Sequence, residues 1–171
     1  RLGQWLRSEP IDAIVSSPLC RARQTAQPLA DSLGLEIGIE SGVTELDHDA
    51  ESYVPLEEVK RDDPERWRAL AAGELYAEAD LPAFQATVVA SIERLIEGHP
   101  GGRIAIFCHG GVINAWACHV LGLPMSLFLN AGYTSVNRFL AATSGQRSIS
   151  SLNEASHLDW NRRTEHVNAE S

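Results

Sequence analysis

Two stretches decide how this chain folds. The first is Ile14-Val15-Ser16-Ser17-Pro18-Leu19-Cys20-Arg21-Ala22-Arg23-Gln24-Thr25-Ala26, and the second is Ile104-Ala105-Ile106-Phe107-Cys108-His109-Gly110-Gly111-Val112-Ile113. Each is a short apolar run, rich in β-branched residues, that stops at polar residues and passes into a helical pattern. That is the signature of a buried strand feeding a helix. In open α/β sheets ligands bind where strands end and helices begin. The two junctions therefore bring an arginine cluster and a histidine to one rim, where two helix N-termini favour an anion. The pattern predicts a phosphate site with a histidine in it.

Working outward, Leu2, Trp5 and Leu6 have the i, i+3, i+4 spacing of a short helix. Ile11–Val15 reads as a buried strand. Arg21–Leu33 reads as a helix closed by Gly34, and Glu36–Ile39 as a second strand. Residues 40–54 are irregular and acidic. Asp63-Pro64 is a helix start with Asp as cap and Pro at the first helical position, followed by Trp67 and Leu70 three apart. Asp80 is a further cap. Phe84, Val88, Ile92 and Leu95 then form one apolar stripe, and Gly98 closes that helix. Arg103–Phe107 is the clearest buried strand. Val112–Leu121 is a helix closed by Gly122, and Pro124–Leu129 reads as one or two further helical turns. Tyr133–Ala141 and Arg147–Leu152 are two strands joined by a hairpin at Thr143-Ser144-Gly145-Gln146. The polar tail after Leu158 reads as loose. The order of elements predicts an α/β fold of three layers, with helices on both faces of a mostly parallel sheet.

Composition narrows the function. With 171 residues, 44% hydrophobic and 22% charged, the chain fits one ordinary globular domain over residues 1–171. A net charge of −9 argues against a nucleic-acid partner, which requires a basic surface. No apolar run approaches the ~20 residues that span a bilayer. An acidic protein that binds phosphate must concentrate positive charge locally, and Arg21 with Arg23 does so. Cys20, Cys108 and Cys118 are odd in number and lack CxxC spacing. They read as reduced thiols of a cytoplasmic protein rather than a disulfide framework or zinc site. The sequence holds no GxSxG elbow, no GxxxxGK[ST] loop and no GxGxxG.

The two quoted stretches resemble the arginine motif and the second histidine motif of the histidine phosphatase superfamily, the group that includes cofactor-dependent phosphoglycerate mutases. Leu152-Asn153-Glu154-Ala155-Ser156-His157-Leu158 is similar to a C-terminal segment of bacterial members. The resemblance implies a phosphoglycerate mutase-like fold and a phosphohydrolase acting on small phosphomonoesters through a phosphohistidine. It implies no metal and no organic cofactor. Arg21 matches the phosphate-clamping arginine, His109 the second catalytic histidine, and Glu45 in Val43-Thr44-Glu45-Leu46-Asp47 the general acid or base. Ser17 and Gly110 join Arg21 and His109 as substrate-binding residues. Many members follow that glutamate with a glycine and a Trp-Glu-Gly, where this chain has Asp47-His48-Asp49-Ala50-Glu51.

The other chemistry-bearing residues read as support or structure. Arg23, two residues beyond Arg21, points elsewhere on the helix to an ion pair or to solvent. His48 reads as solvated among carboxylates. One hydroxyl of Ser16 or Ser17 touches phosphate or simply caps the loop. Asn114 and His157 are candidates to support the site from behind. His99 and His119 lack partners at metal-ligand spacing and read as structural, and Trp116 as core. Cys108 adjoins His109, but neighbours on a strand face opposite ways, so the two do not form a thiol–imidazole pair.

One departure matters. The family begins with a strand ending in an Arg-His-Gly triplet whose histidine accepts the phosphoryl group, and no such triplet occurs among the 171 residues. The expectation is therefore a domain that starts inside the family's first helix, lacks that strand and its acceptor histidine, and would measure about 200 residues with them. That length favours the phosphatase branch. The alternatives are a mutase-type phosphotransferase and a non-catalytic phosphate-binding or interaction protein. Unpaired strand edges left by such a gap invite pairing with another chain, so the expectation is lowered stability or a homodimer formed by exchange.

Overall fold

A computed structural model describes residues 1–46, 62–65, 68 and 80–158. Trp67, Leu70, His48 and the tail beyond Leu158 lie outside the described residues, as does most of the acidic segment after Leu46. The elements are α1 (Leu2–Leu6), β1 (Ala13–Ser16), α2 (Cys20–Leu33), β2 (Ile37–Ile39), a 3₁₀ turn (Ser41–Val43), α3 (Leu81–Gly98), β3 (Ile104–Phe107), α4 (Gly110–Leu121), β4 (Val136–Ala141) and β5 (Arg147–Glu154). Strands β2, β1 and β3 lie side by side in that order, all parallel, while β4 and β5 form an antiparallel hairpin.

Alternation along the strands sends side chains to two cores. Ile14, Ala105 and Phe107 meet Leu6, Ala22, Ala26, Leu29 and Ala30 of α1 and α2. Ile106 and Cys108 meet Val88, Ile92, Val112, Ala115 and Trp116 of α3 and α4. Because successive strand residues face opposite ways, one short parallel sheet holds a helical layer on each face. The fold is α/β, with helices on both sides of a parallel sheet.

Local chemistry explains most of the boundaries. Gly34 and Gly122 end α2 and α4 with left-handed backbone at φ 67° and 68°, a conformation glycine adopts without a Cβ penalty. The Asp80 carboxylate accepts from the Ala83 N–H at 2.9 Å and caps α3. Of the α3 stripe, Val88 and Ile92 are buried and Phe84 packs beside them. The hairpin turn closes as the spacing predicts: the Ala142 N–H donates to Gln146 O at 2.9 Å, and Gly145 takes φ 91°.

Three expectations are corrected. Gly98 does not close α3 from outside; it is the last helical residue, the cap is His99, and the left-handed glycine is Gly101 at φ 74°. Pro124–Leu129 is not helical. After Gly122 the Leu123 N–H turns back to Cys118 O at 2.8 Å, and the Leu129 N–H is taken by the Asn114 side chain rather than by a carbonyl four residues earlier. Finally, β3 is not fully buried. Ile104, Ala105 and Ile106 are all half-exposed, and only Phe107 is covered. The reason is pairing. Among the described residues β3 has a strand neighbour only in β1, and its other edge fronts a cleft of about 2060 Å³ whose far wall is β4.

The hairpin is anchored across that cleft by charge. Arg138 of β4 grips Glu9 with two bonds of 2.6 and 2.8 Å, reaches Glu154 at 3.0 Å, and lies 5.5 Å from the Trp5 ring centre. These bonds hold the Glu9 carboxyl below its usual range, chiefly through the Arg138 hydrogen bond. Arg147 of β5 binds Glu93 of α3 at 2.5 and 3.0 Å.

Candidate active site

Strand β1 ends at Ser16 and is followed by Ser17, both fully buried. The Ser17 N–H donates to Phe107 O at 2.9 Å, continuing the pairing with β3 one residue past the strand. This brings the two strand ends level. β3 runs on through Cys108 to His109, the residue before α4, which is itself buried and in extended backbone (φ −136°, ψ 168°). The result is a hydrogen bond of 2.7 Å between Ser17 Oγ and His109 Nε2 across 92 positions of sequence. Ser17 Oγ also accepts from the Leu19 N–H at 3.2 Å, which fixes the hydroxyl at the turn into α2.

Arg21 is the second residue of α2 and lines the same cleft as His109, Glu45 and Gly110. His109 is pushed down to about 4, first by burial and then by the positive charge of Arg21. Burial and the neighbouring guanidinium both disfavour a second positive charge there, so the imidazole is held neutral. Arg23 is exposed and away from the cleft wall, as the helical spacing requires.

Glu45 enters from the loop after the 3₁₀ turn. Its Oε2 accepts from the Gly111 N–H at 3.3 Å, at the first turn of α4, and its Oε1 accepts from the Leu46 N–H at 2.9 Å. A carboxylate is favoured at that helix end by the free N–H groups and the helix dipole. Gly111 makes room for it: a Cβ there would overlap Glu45 Oε1 and lie 3.4 Å from Cδ. Gly110 has nothing within 4 Å of such a Cβ, so the two glycines are not equivalent. The Cys108 thiol is pushed up to about 12 by burial and then by the Glu45 charge, so it stays protonated and packs with the core of α3 and α4.

Arg21, Glu45, His109 and Gly110 thus line one cleft, and the fully buried Ser17 joins them through its bond to His109. Ser16 turns away, its hydroxyl donating to Ser17 O at 2.9 Å. His157 stacks on Trp5 at 5.1 Å and meets Thr134 Oγ1 at 3.1 Å, tying α1 to the hairpin rather than lining the cleft. His99 Nδ1 meets Leu95 O at 2.8 Å, His119 stacks on Trp116, and Trp116 is core. Sequence reasoning passed over Asn153, named only within a motif, although it has left-handed backbone at φ 56° and holds a loop of the cleft. Among the described residues no group of three His, Cys, Asp or Glu side chains converges as a metal would need. No helix among them is long and apolar enough to cross a membrane.

The model of the histidine phosphatase superfamily (branch 1) matches residues 1–155. The chain belongs to that superfamily. Phosphoserine phosphatase 1 of Hydrogenobacter thermophilus is 28% identical over 162 residues, covering 92% of this chain and 77% of that protein. A probable phosphoglycerate mutase GpmB of Yersinia enterocolitica is 25% identical over 128 residues, and the match spans 72% of this chain and 59% of that relative. Among solved structures, YhfR of Bacillus stearothermophilus superposes with a TM-score of 0.74 at 20% identity, over 92% of this chain and 81% of that one. A phosphoserine phosphatase of Entamoeba histolytica, solved with 3-phosphoglyceric acid, gives 0.71 at 21% identity over the same shares. These likenesses establish the phosphoglycerate mutase-like fold. The superfamily members named here are phosphatases and mutases, so the chain is of an enzyme family.

Proposed function

We propose that this protein is a phosphohydrolase for small phosphomonoesters that works through a phosphohistidine. The observation that carries the reading is the meeting of Ser17, Arg21 and His109 between two helix N-termini, with Glu45 opposite at Gly111. An anion entering there meets the Arg21 guanidinium, the Ser17 hydroxyl and the amides of two helix starts. A phosphate dianion would reverse the electrostatics around His109, restoring the proton that Arg21 and burial remove, and the imidazolium would then face the phosphoryl oxygens. Arg21 and His109 spread the charge of the transferring group. Glu45, held at the same helix start as His109, is the general acid or base: protonated in the substrate complex it gives its proton to the departing alcohol, and as carboxylate it takes one from the attacking water. Water then attacks the phosphohistidine, releases inorganic phosphate and returns the accepting imidazole.

The accepting histidine of that mechanism would follow an arginine and precede a glycine. None of the six histidines of this sequence does, so His109 is read as the stabilising and not the accepting imidazole. The mutase reading differs only in the second step, where a hydroxyl of a phosphorylated metabolite replaces water. The phosphatase names of relatives that this chain covers over most of their length favour hydrolysis. A site of this kind calls for a small phosphorylated metabolite as partner.

The test is phosphate release from p-nitrophenyl phosphate by three proteins: the 171-residue chain, the product of the complete coding sequence, and that product with His109→Ala. Release by the complete product, abolished in the variant, supports the reading. Release by the 171-residue chain alone would mean that another residue accepts the phosphoryl group. Transfer between two positions of a phosphorylated metabolite without net release would make the protein a mutase.

A further inference from the structure

Residues 127–135 line the cleft without helix or strand, and Leu127, Phe128 and Tyr133 are exposed. Met125, just before them, packs on the α3–α4 core and Cys118 Sγ reaches Ser126 O at 3.6 Å; beyond those anchors two asparagine side chains hold the backbone. Asn114, fully buried on α4, donates from Nδ2 to Gly110 O at 2.9 Å and to Leu129 O at 2.8 Å, and its Oδ1 accepts from the Leu129 N–H at 2.8 Å. Every hydrogen-bonding position of that amide but one lone pair is used. One amide group therefore touches both the helix start beside His109 and the backbone of the loop. Three residues on, Asn153 of β5 accepts from the Gly132 N–H at 2.9 Å and donates to Asn130 O at 3.1 Å, while its own N–H donates to Asn137 Oδ1 at 2.8 Å. Asn153 adopts left-handed backbone at φ 56°, a conformation with a steric cost that persists only where the surroundings fix it.

We propose that Asn114 and Asn153 act as a clamp that fixes Leu129–Gly132 as a wall of the site and thereby sets which leaving groups the site accepts. The inference rests on the phosphate-site reading above. Of the elements that would hold phosphate, β1, α2 and the end of β3 are built without this loop, and the start of α4 meets the clamp only where Asn114 bonds Gly110 O. The loop lines the cleft beside Gly110, where the rest of a substrate must extend. A residue that positions a wall changes discrimination among esters more than it changes affinity for the phosphate they share. Asn114 and Asn153 are positioning residues, since they act through the loop backbone.

The experiment uses the product of the complete coding sequence and its Asn114→Ala, Asn153→Gly and double variants. Asn153→Gly removes the side chain while relieving the left-handed backbone, so it stays folded where Asn153→Ala adds strain. Three readouts are taken: amide exchange at Leu129 and Gly132, the inhibition constant of inorganic phosphate, and kcat/KM for phosphoserine, glycerol phosphate and p-nitrophenyl phosphate. The expected result is faster exchange at Leu129 in Asn114→Ala and at Gly132 in Asn153→Gly. Inorganic phosphate inhibits within about twofold of the parent, and the ratios of kcat/KM among the three esters shift by about tenfold. The double variant shifts them little further than either single one, because both side chains hold one wall. Unchanged ratios in an active variant whose Leu129 amide has lost protection would overturn the clamp alone, as would phosphate affinity falling as far as ester turnover. A parent that neither binds phosphate nor hydrolyses any ester breaks the site reading and the clamp with it.

Discussion

The two strand-to-helix junctions, β1 into α2 and β3 into α4, begin from nearly the same sequence pattern and end in different surroundings. β1 is paired on both edges, with β2 and with β3, and Ile14, Val15 and Ser16 are buried. β3 is paired on one edge among the described residues, and Ile104, Ala105 and Ile106 are half-exposed although they are as apolar as their counterparts. The first junction delivers Ser17 and Arg21 from a closed frame, and the second delivers His109 beside an open cleft. The difference shows that apolar content marks a strand, while burial is set by what pairs with it. It also shows that anion-holding groups and the titrating group come from opposite sides of that divide.

The sharpest way to break this comparison is to remove each junction's own contribution to turnover. In the complete product, His109→Ala is expected to lower phosphate release from p-nitrophenyl phosphate by about 10³-fold. Ser17→Ala, which removes a single hydroxyl from the anion side, is expected to lower it by about tenfold. Equal losses, measured by steady-state kinetics, would erase the distinction between the junctions.

The burial contrast has its own test in urea denaturation. Ile14→Ala empties a site in the closed core and is expected to cost about 3–4 kcal/mol, whereas Ile106→Ala, half in solvent, costs about 1–2 kcal/mol. Matching costs would mean that β3 is covered in solution.

Protonation sharpens the comparison further, because the second junction carries a histidine whose proton affinity the fold lowers. His109 sits at about 4 in the fold and near 6.5 in an unfolded chain. Between those values the unfolded state binds the extra proton, so stability is fully present above pH 6.5 and is lost as the pH falls toward 4. The loss on this account is roughly 3 kcal/mol, read from denaturation midpoints at pH 7 and pH 4. His109→Asn should flatten most of that slope, while the carboxylates Glu9 and Glu154, whose values are lowered in the fold from 4.5, add their own loss as the pH falls through the lower end of that range. Phosphate binding at pH 7 should take up a proton, seen as a binding enthalpy that varies with the buffer's ionisation enthalpy.

The smallest contrast lies between adjacent glycines of the second junction. Gly111→Ala displaces the flexible end of Glu45 and is expected to reduce turnover about 30-fold with the melting temperature nearly unchanged. Gly110→Ala meets open space and should cost no more than about threefold. If both behave alike, the Glu45 placement is not what Gly111 provides.

Much of this was legible in the residues. The patterns around Ile14 and Ile104 called for strands feeding helices, and both are there within a residue or two, because β-branched runs and glycine or aspartate caps act locally. The convergence of Ser17, Arg21 and His109 also followed, because parallel neighbours in a sheet bring their strand ends level. Pro124–Leu129 was misread because the backbone of Leu129 is partnered on both sides by the distant side chain of Asn114, which no local window contains. The place of His157 was out of reach for a similar reason, since its stacking on Trp5 links positions more than 150 residues apart.

By itself, then, the sequence determined the class of fold, the helix ends and the chemical types gathered at the strand ends, because these depend on spacing, caps and charge within a few residues. Only the tertiary structure decided which edge of β3 stays open, that Glu45 docks on Gly111, that Arg138 bridges Glu9 to Glu154, and that two asparagines hold the loop of the cleft. Those contacts join residues that are remote in sequence. Their partners are chosen by the packing of whole elements, which no run of residues records on its own.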